Sequence, residues 1–183
     1  MPRLIIDLNK KEHPYFIKGE KEKIQNFYNN LSRVNPRSCM YSFDREITDM
    51  AGLREDLNEQ KQKEISAINN LYENGEITEQ VYSLIKSDRK VYYGIALGSL
   101  ASLNNVQFMR EKTDVPELVF EIWEEANSFI STENQNILKT TNIYHYLYLK
   151  LWYHIYTKIK YDNFVETRAE FREKDKGQTY TLS

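Results

Sequence analysis

Val91-Tyr-Tyr-Gly-Ile-Ala-Leu-Gly-Ser-Leu-Ala-Ser-Leu103 is the stretch from which the fold can be read. It holds no charge and no proline. Its apolar positions Val91, Tyr92, Ile95, Leu97, Leu100 and Leu103 continue the helical spacing of Val81, Leu84 and Ile85 upstream. Gly94 and Gly98 are four apart, and Ala101 and Ser102 extend a stripe of small residues. A glycine inside a helix costs about 1 kcal/mol against alanine, so a close helix–helix approach is expected to offset it. Internal packing is the first reading of that stripe, and a homodimer seam is the alternative. Asn104, Asn105, Gln107 and several serines leave the uncharged run 91–109 short of the roughly 20 apolar residues that cross a bilayer. No membrane association is expected.

Leu71-Tyr-Glu-Asn-Gly-Glu-Ile-Thr-Glu-Gln-Val-Tyr82 precedes this helix. Asn74-Gly75 stops one helix, Thr78 can cap the next, and Val81 opens its apolar face. The turn resembles the helix–turn–helix of short bacterial C-terminal interaction domains, with their Gly-x-Ile-Thr hinge, over about twenty residues in the middle of the chain. Upstream, Ile47, Met50, Leu53, Leu57, Ile65, Ile68 and Leu71 form a narrow stripe through a highly charged stretch. That pattern predicts a long helix, or an arm of a helical hairpin, starting near Ser42 or Asp44. Ile24, Phe27, Tyr28, Leu31 and Val34 predict an earlier amphipathic helix, ended by Asn35-Pro36. Arg3 to Leu8 reads as a short strand, and His13 to Gly19 as a connector broken by proline and glycine.

Downstream, Asp114, Pro116 and Glu117 read as a helix start with a capping box. Val119, Ile122, Trp123, Ala126, Phe129 and Ile130 give that helix its apolar face. Ser131 to Gln135 breaks it. A last helix, from about Asn136 to Tyr161, is apolar or aromatic on nearly every side; such a helix is either central in the fold or covered by a partner. The fold class is therefore all-α, a bundle of five to six helices with room for a minor two-stranded element from the termini, Thr179–Leu182 beside residues 3–8. One helical domain spans 1–183, with 1–18 an irregular N-terminal arm and 162–183 a charged C-terminal extension. The expected core is Phe27, Leu31, Leu84, Ile95, Leu100, Ile122, Trp123, Phe129, Leu147, Leu151 and Ile155.

Composition excludes much. The chain has 183 residues, 25 basic and 27 acidic, a net charge of −2, and one cysteine. That balance argues against a strongly basic nucleic-acid binder. Lone Cys39 cannot form an internal disulfide, which points to a reducing, cytoplasmic location, and it reads as an ordinary semi-buried thiol. The six glycines occur singly, so neither Gly-x-Gly-x-x-Gly nor a phosphate-binding loop exists. His145 and His154 are nine residues apart, 900° around a helix, hence on opposite faces. No zinc, di-iron or hydrolase motif occurs, so neither a metal nor a cofactor is expected. Glu121 with Glu124 or Glu125 has the form of an acid–base pair, but carboxylates in a helix's first turns are explained by its dipole. Asp56, Glu59 and Lys61 read as an exposed charged helix. The chain is not expected to be an enzyme.

Charge is segregated: residues 138–161 carry Lys139, Lys150, Lys158 and Lys160 and no carboxylate, while the helix before them is acidic. The leading functional reading is a non-catalytic protein-interaction module, an accessory subunit or inhibitor of a larger protein. Phe, Tyr, Met, Ile, Asn and Lys are abundant, a bias that follows from an AT-rich genome, and small, motif-free helical chains of this kind are common among phage and mobile-element accessory proteins. Its anchors would be Tyr148, Trp152 and Tyr156, since tyrosine and tryptophan dominate interface energetics. The alternative is a nucleic-acid-binding small subunit of a ribonucleoprotein complex, using Lys139, Lys150, Lys158 and Lys160 with neighbouring tyrosines.

Overall fold

The computed structural model of the protein describes residues 3–6, 15–18, 22–31, 35–129, 137–140 and 142–158. Strands β1 (Arg3–Ile6) and β2 (Tyr15–Lys18) come first, then helix α1 (Glu22–Asn30) and a 3-10 turn at Cys39–Ser42. Helices α2 (Met50–Glu73), α3 (Glu79–Glu111) and α4 (Glu117–Ser128) follow, then a 3-10 turn at Ile137–Lys139 and helix α5 (Ile143–Lys158). The class is all-α, a bundle of helices with one small sheet among the described residues.

That sheet is formed within the N-terminal segment. β1 pairs antiparallel with β2, Arg3 opposite Lys18 and Ile6 opposite Tyr15. The segment expected as an irregular arm and a broken connector is thus a hairpin. Tyr15, Phe16 and Ile17 are strong strand formers, and closing a short loop costs less entropy than joining the two chain ends. Thr179–Leu182 and the extension 162–183 lie outside the described residues.

The hairpin of α2 and α3 forms as its turn chemistry dictates. Gly75 adopts φ +68°, a conformation that disfavours side chains. The Glu76 N–H donates to the Leu71 carbonyl and the Gly75 N–H to that of Tyr72, each at 2.9 Å, closing the last turn of α2. The Thr78 hydroxyl accepts from the Val81 N–H at 3.4 Å and starts α3. Three helix starts fall later than expected, and α5 is one of them, beginning at Ile143 rather than near Asn136. α2 begins at Met50, where the Asp49 carboxylate accepts from the Gly52 N–H at 3.1 Å. α4 begins at Glu117 with Pro116 as its N-cap, and Asp114 does not cap it. Proline disfavours the α region for the residue before it, Val115, which sets the start of the helix after Pro116 rather than at Asp114.

Helix α3 is the hub, packing on α2, α4 and α5. Every residue from Val91 to Ala101 is buried. Leu53 and Leu57 of α2 meet it from one side, and Val119, Ile122, Trp123 and Ala126 of α4 from another. A third side receives Ile143, Tyr146 and Leu149 of α5 with Ile137. A smaller cluster of Ile68, Ile77 and Ile85 closes the hairpin tip, with Ile24 and Phe27 of α1 against it. Burying each such side chain contributes about 1.5–3 kcal/mol.

The small-residue stripe is used inside the chain. A Cβ on Gly94 would stand 3.1 Å from the Tyr146 ring and 3.3 Å from the Ala126 carbonyl oxygen. A Cβ on Gly98 would meet Leu149 at 3.4 Å and the Ala126 Cβ at 3.8 Å. The glycines let α4 and α5 approach α3 together, which leaves no seam there for a second copy. Of the expected core, Ile95, Leu100, Ile122 and Trp123 are buried, and Phe27, Leu31, Phe129 and Ile155 are half-buried. Leu84, Leu147 and Leu151 are instead exposed. The last helix is therefore peripheral rather than central.

Candidate functional site

α5 has two apolar faces, and the protein covers one of them. Ile143, Tyr146 and Leu149 are buried, at spacings of three along the helix. The Tyr146 hydroxyl donates to the Asn127 carbonyl at 3.1 Å, tying α5 to the end of α4. Burial pushes its phenol up to about 12. Tyr153 continues this face: its ring lies 5.7 Å from that of Trp123, and its hydroxyl donates to Glu124 at 3.4 Å.

The opposite face carries Tyr144, Leu147, Tyr148 and Leu151, spaced i, +3, +4 and +7. Tyr144 is 83% exposed, Leu151 58%, Tyr148 48% and Leu147 42%. Half-buried Trp152 stands edge-on to Tyr148, ring centroids 5.9 Å apart. The guanidinium of exposed Arg37 lies 5.7 Å from the centre of the Tyr148 ring. Together the two tyrosines and two leucines leave on the order of 500 Å² of apolar surface in water. That equals the largest patch on a typical monomer, and such patches are often functional.

The anchors expected from sequence are partly brought together here. Tyr148 sits in the stripe and Trp152 on its edge. Tyr156 belongs to α5, and its side chain lies outside the described residues, as does that of Lys158. Lys160 lies wholly outside them. Lys139 is exposed in the 3-10 turn before α5, and Lys150 is half-buried on α5. Two residues along a helix correspond to 200°, so Lys150 and Tyr148 do not share a face. Tyr144, Leu147, Leu151 and Arg37 were missed as site residues. The i, +3, +4, +7 spacing of the stripe was visible, but a second apolar stripe on the same helix masked it.

The remaining candidates are absorbed by structure. Glu125 accepts from Arg54 at 2.6 Å and from the Asn58 amide at 2.7 Å, and Glu121 pairs with Arg54 at 3.2 Å. These bonds clamp α4 to α2, and the bond to Glu125 raises the Arg54 guanidinium. Asp56 pairs with Arg45, and Glu59 with Lys63. Lys61 sits 3.8 Å over the Phe129 ring and donates to Asn58; burial lowers its ammonium.

A buried polar layer lies between α2 and α3. Arg89 donates to Glu64 at 2.8 Å, both side chains nearly dry, and its guanidinium covers the Tyr92 ring at 4.0 Å. Cys39 is fully buried, and burial raises its thiol against hydrogen bonds with Tyr92 and Ser42 that lower it. A thiol held neutral in this way is not a nucleophile. Arg89 Nη2 and Gln60 Oε1 have no hydrogen-bond partner among the described residues. No group of three or more histidine, cysteine or acidic side chains among the described residues is placed to hold a metal ion.

No family model, no curated protein and no solved structure matches the chain. No helix among the described residues is long and apolar enough to cross a membrane.

Proposed function

We propose that the protein is a non-catalytic helical interaction module, an accessory subunit or inhibitor that docks on a larger protein through the exposed face of α5. One observation carries this reading: a helix whose inner face is sealed against α3 and α4 presents Tyr144, Leu147, Tyr148 and Leu151 to water. A helix apolar on all sides is either central or covered by a partner, and α5 is not central. Tyrosines at the middle of such a stripe are the usual anchors of an interface. The free thiol of Cys39 favours a reducing, cytoplasmic setting.

The nucleic-acid alternative has less support, because the described lysines do not line up with the exposed tyrosines. The test is co-purification of tagged protein from its native cells, with and without nuclease, beside a Tyr148→Ala/Leu151→Ala variant. Both substituted side chains are exposed, so the variant should melt with the wild type. A stoichiometric protein that survives nuclease and is lost from the variant is expected. Partners that vanish on nuclease treatment, or that the variant retains unchanged, would overturn the proposal.

A further inference from the structure

The α2–α3 hairpin holds two apolar clusters apart. At its base, Leu53 and Leu57 of α2 pack with Tyr92, Ala96, Leu97 and Leu100 of α3. Toward the turn, Ile68 of α2 packs with Ile85 of α3 and with Ile77 between the helices. Gln60 and Glu64 on α2 and Arg89 on α3 lie between the two clusters. Glu64 accepts from Arg89 at 2.8 Å, both side chains nearly dry. Gln60, one turn before Glu64, buries its Oε1.

Such a layer separates more than it joins. A buried ion pair adds little net stability, because both charges have lost their hydration. Arg89 Nη2 and Gln60 Oε1 have no hydrogen-bond partner among the described residues, and a buried polar atom without a partner favours any state in which water reaches it. The supports are divided in the same way. α4 and α5 pack on the base: Ala126 and Tyr146 stand at Gly94, and Leu149 stands at Gly98. From outside the hairpin, the described residues packed on the tip cluster are Ile24 and Phe27 of α1. The tip cluster has three buried side chains, against fifteen in that of the base, so less apolar area holds it closed.

We propose that α1 and residues 65–85 form a separate opening unit, which comes apart at the Glu64–Arg89 layer while the base of the hairpin stays folded. Local opening of this kind divides a fold into contiguous units of unequal stability. The two arms of the tip share one cluster, so they open together rather than fraying residue by residue. The α5 face proposed for docking is carried by the base, so the opening leaves it in place.

Native-state hydrogen exchange on the full chain, read residue by residue against urea, tests this. Amides of Ile68, Leu71, Tyr82 and Ile85 should share one opening equilibrium, about 100-fold or more above that of Ala96, Leu97 and Leu100. Its urea dependence should be the shallower of the two, because opening the tip exposes less surface than global unfolding. Protection should step up within one helical turn of Glu64 on α2 and of Arg89 on α3. Glu64→Met with Arg89→Met makes the layer apolar and should erase the step, raising protection of the tip by about 10-fold or more.

Protection that falls smoothly toward Gly75 would show fraying and overturn the proposal. So would a single opening for tip and base with one urea slope. A step that the double variant leaves unchanged would overturn the layer as its boundary. If the double variant does not fold, the step and the two urea slopes of the wild-type chain decide alone.

Discussion

Replacing Gly94 and Gly98 separately by alanine tests the packing that decides which face of α5 is free. Alanine is about 1 kcal/mol better than glycine inside a helix, and both sites lie well within α3. The gain is common to both; the surroundings differ. At Gly98 the new methyl meets Leu149 at 3.4 Å and Ala126 at 3.8 Å, ordinary contact distances. The gain should survive there, so Gly98→Ala stabilises by about 0.5–1 kcal/mol, which in a chain of this size raises Tm by about 1–4 °C.

At Gly94 the methyl would stand 3.1 Å from the Tyr146 ring and 3.3 Å from a backbone carbonyl oxygen. Neither yields easily, because the Tyr146 hydroxyl is held by the Asn127 carbonyl. Overpacking of this kind costs about 1–3 kcal/mol. The net effect of Gly94→Ala is then a loss of up to about 2 kcal/mol, the overpacking cost less the helix gain. Thermal and urea unfolding followed by circular dichroism read both variants. Tyr146→Leu in the Gly94→Ala background should recover part of the loss, with a coupling of about 1 kcal/mol in the double-mutant cycle. If Gly94→Ala stabilises as much as Gly98→Ala, α5 does not lie on α3 through Tyr146, and the exposed stripe has been drawn on the wrong face.

Glu64→Gln should cost about 3–5 kcal/mol by urea unfolding, because the Arg89 guanidinium stays buried without its counter-charge; Glu64→Met with Arg89→Met should recover most of it, and a single-variant loss under about 1 kcal/mol would show that the layer is hydrated. Stability should decline in alkali: Tyr146 ionises at about 12 in the folded chain against 10.0 when free, so its contribution is full below pH 10 and is lost as pH rises through 12. Tyr92 and Tyr93 are raised in the same direction, chiefly by burial; Tyr146→Phe should flatten this decline, and an unchanged pH profile would contradict its burial. Cys39 should resist alkylation at pH 8 in the folded protein and react at once in denaturant, since it is fully buried and its thiol is raised; fast labelling of the native chain would place it at the surface.

The helical class, the hairpin turn at Asn74-Gly75, the Thr78 cap and the helix through residues 91–101 were legible in the sequence. Each depends on residues close together in the chain: a glycine that tolerates positive φ, a hydroxyl within reach of the next turn's N–H, an uncharged run long enough to make a buried helix. The strand at Tyr15–Lys18 was not legible because Pro14 and Gly19 bracket it, and breakers at the ends of a four-residue run outweigh its composition in any sequence reading. The start of α4 was misread because Asp114 and Glu117 have the spacing of a capping box, while Pro116 constrains Val115 out of the helix.

The site was half legible. Sequence alone established that α5 is apolar all round, that it lacks carboxylates, and that Tyr148 and Trp152 belong to it. It did not establish the helix's rotation, because two apolar stripes on one helix are equivalent until something packs against one of them. Tertiary structure broke that tie. Gly94 and Gly98 create a gap on α3 that the Tyr146 ring and Leu149 fill, and the Tyr146 hydroxyl finds the carbonyl of Asn127 at the end of α4. With that face committed, Tyr144, Leu147, Tyr148 and Leu151 are left in water, because the phase of a uniformly apolar helix is set by the shape of its neighbour rather than by its own residues.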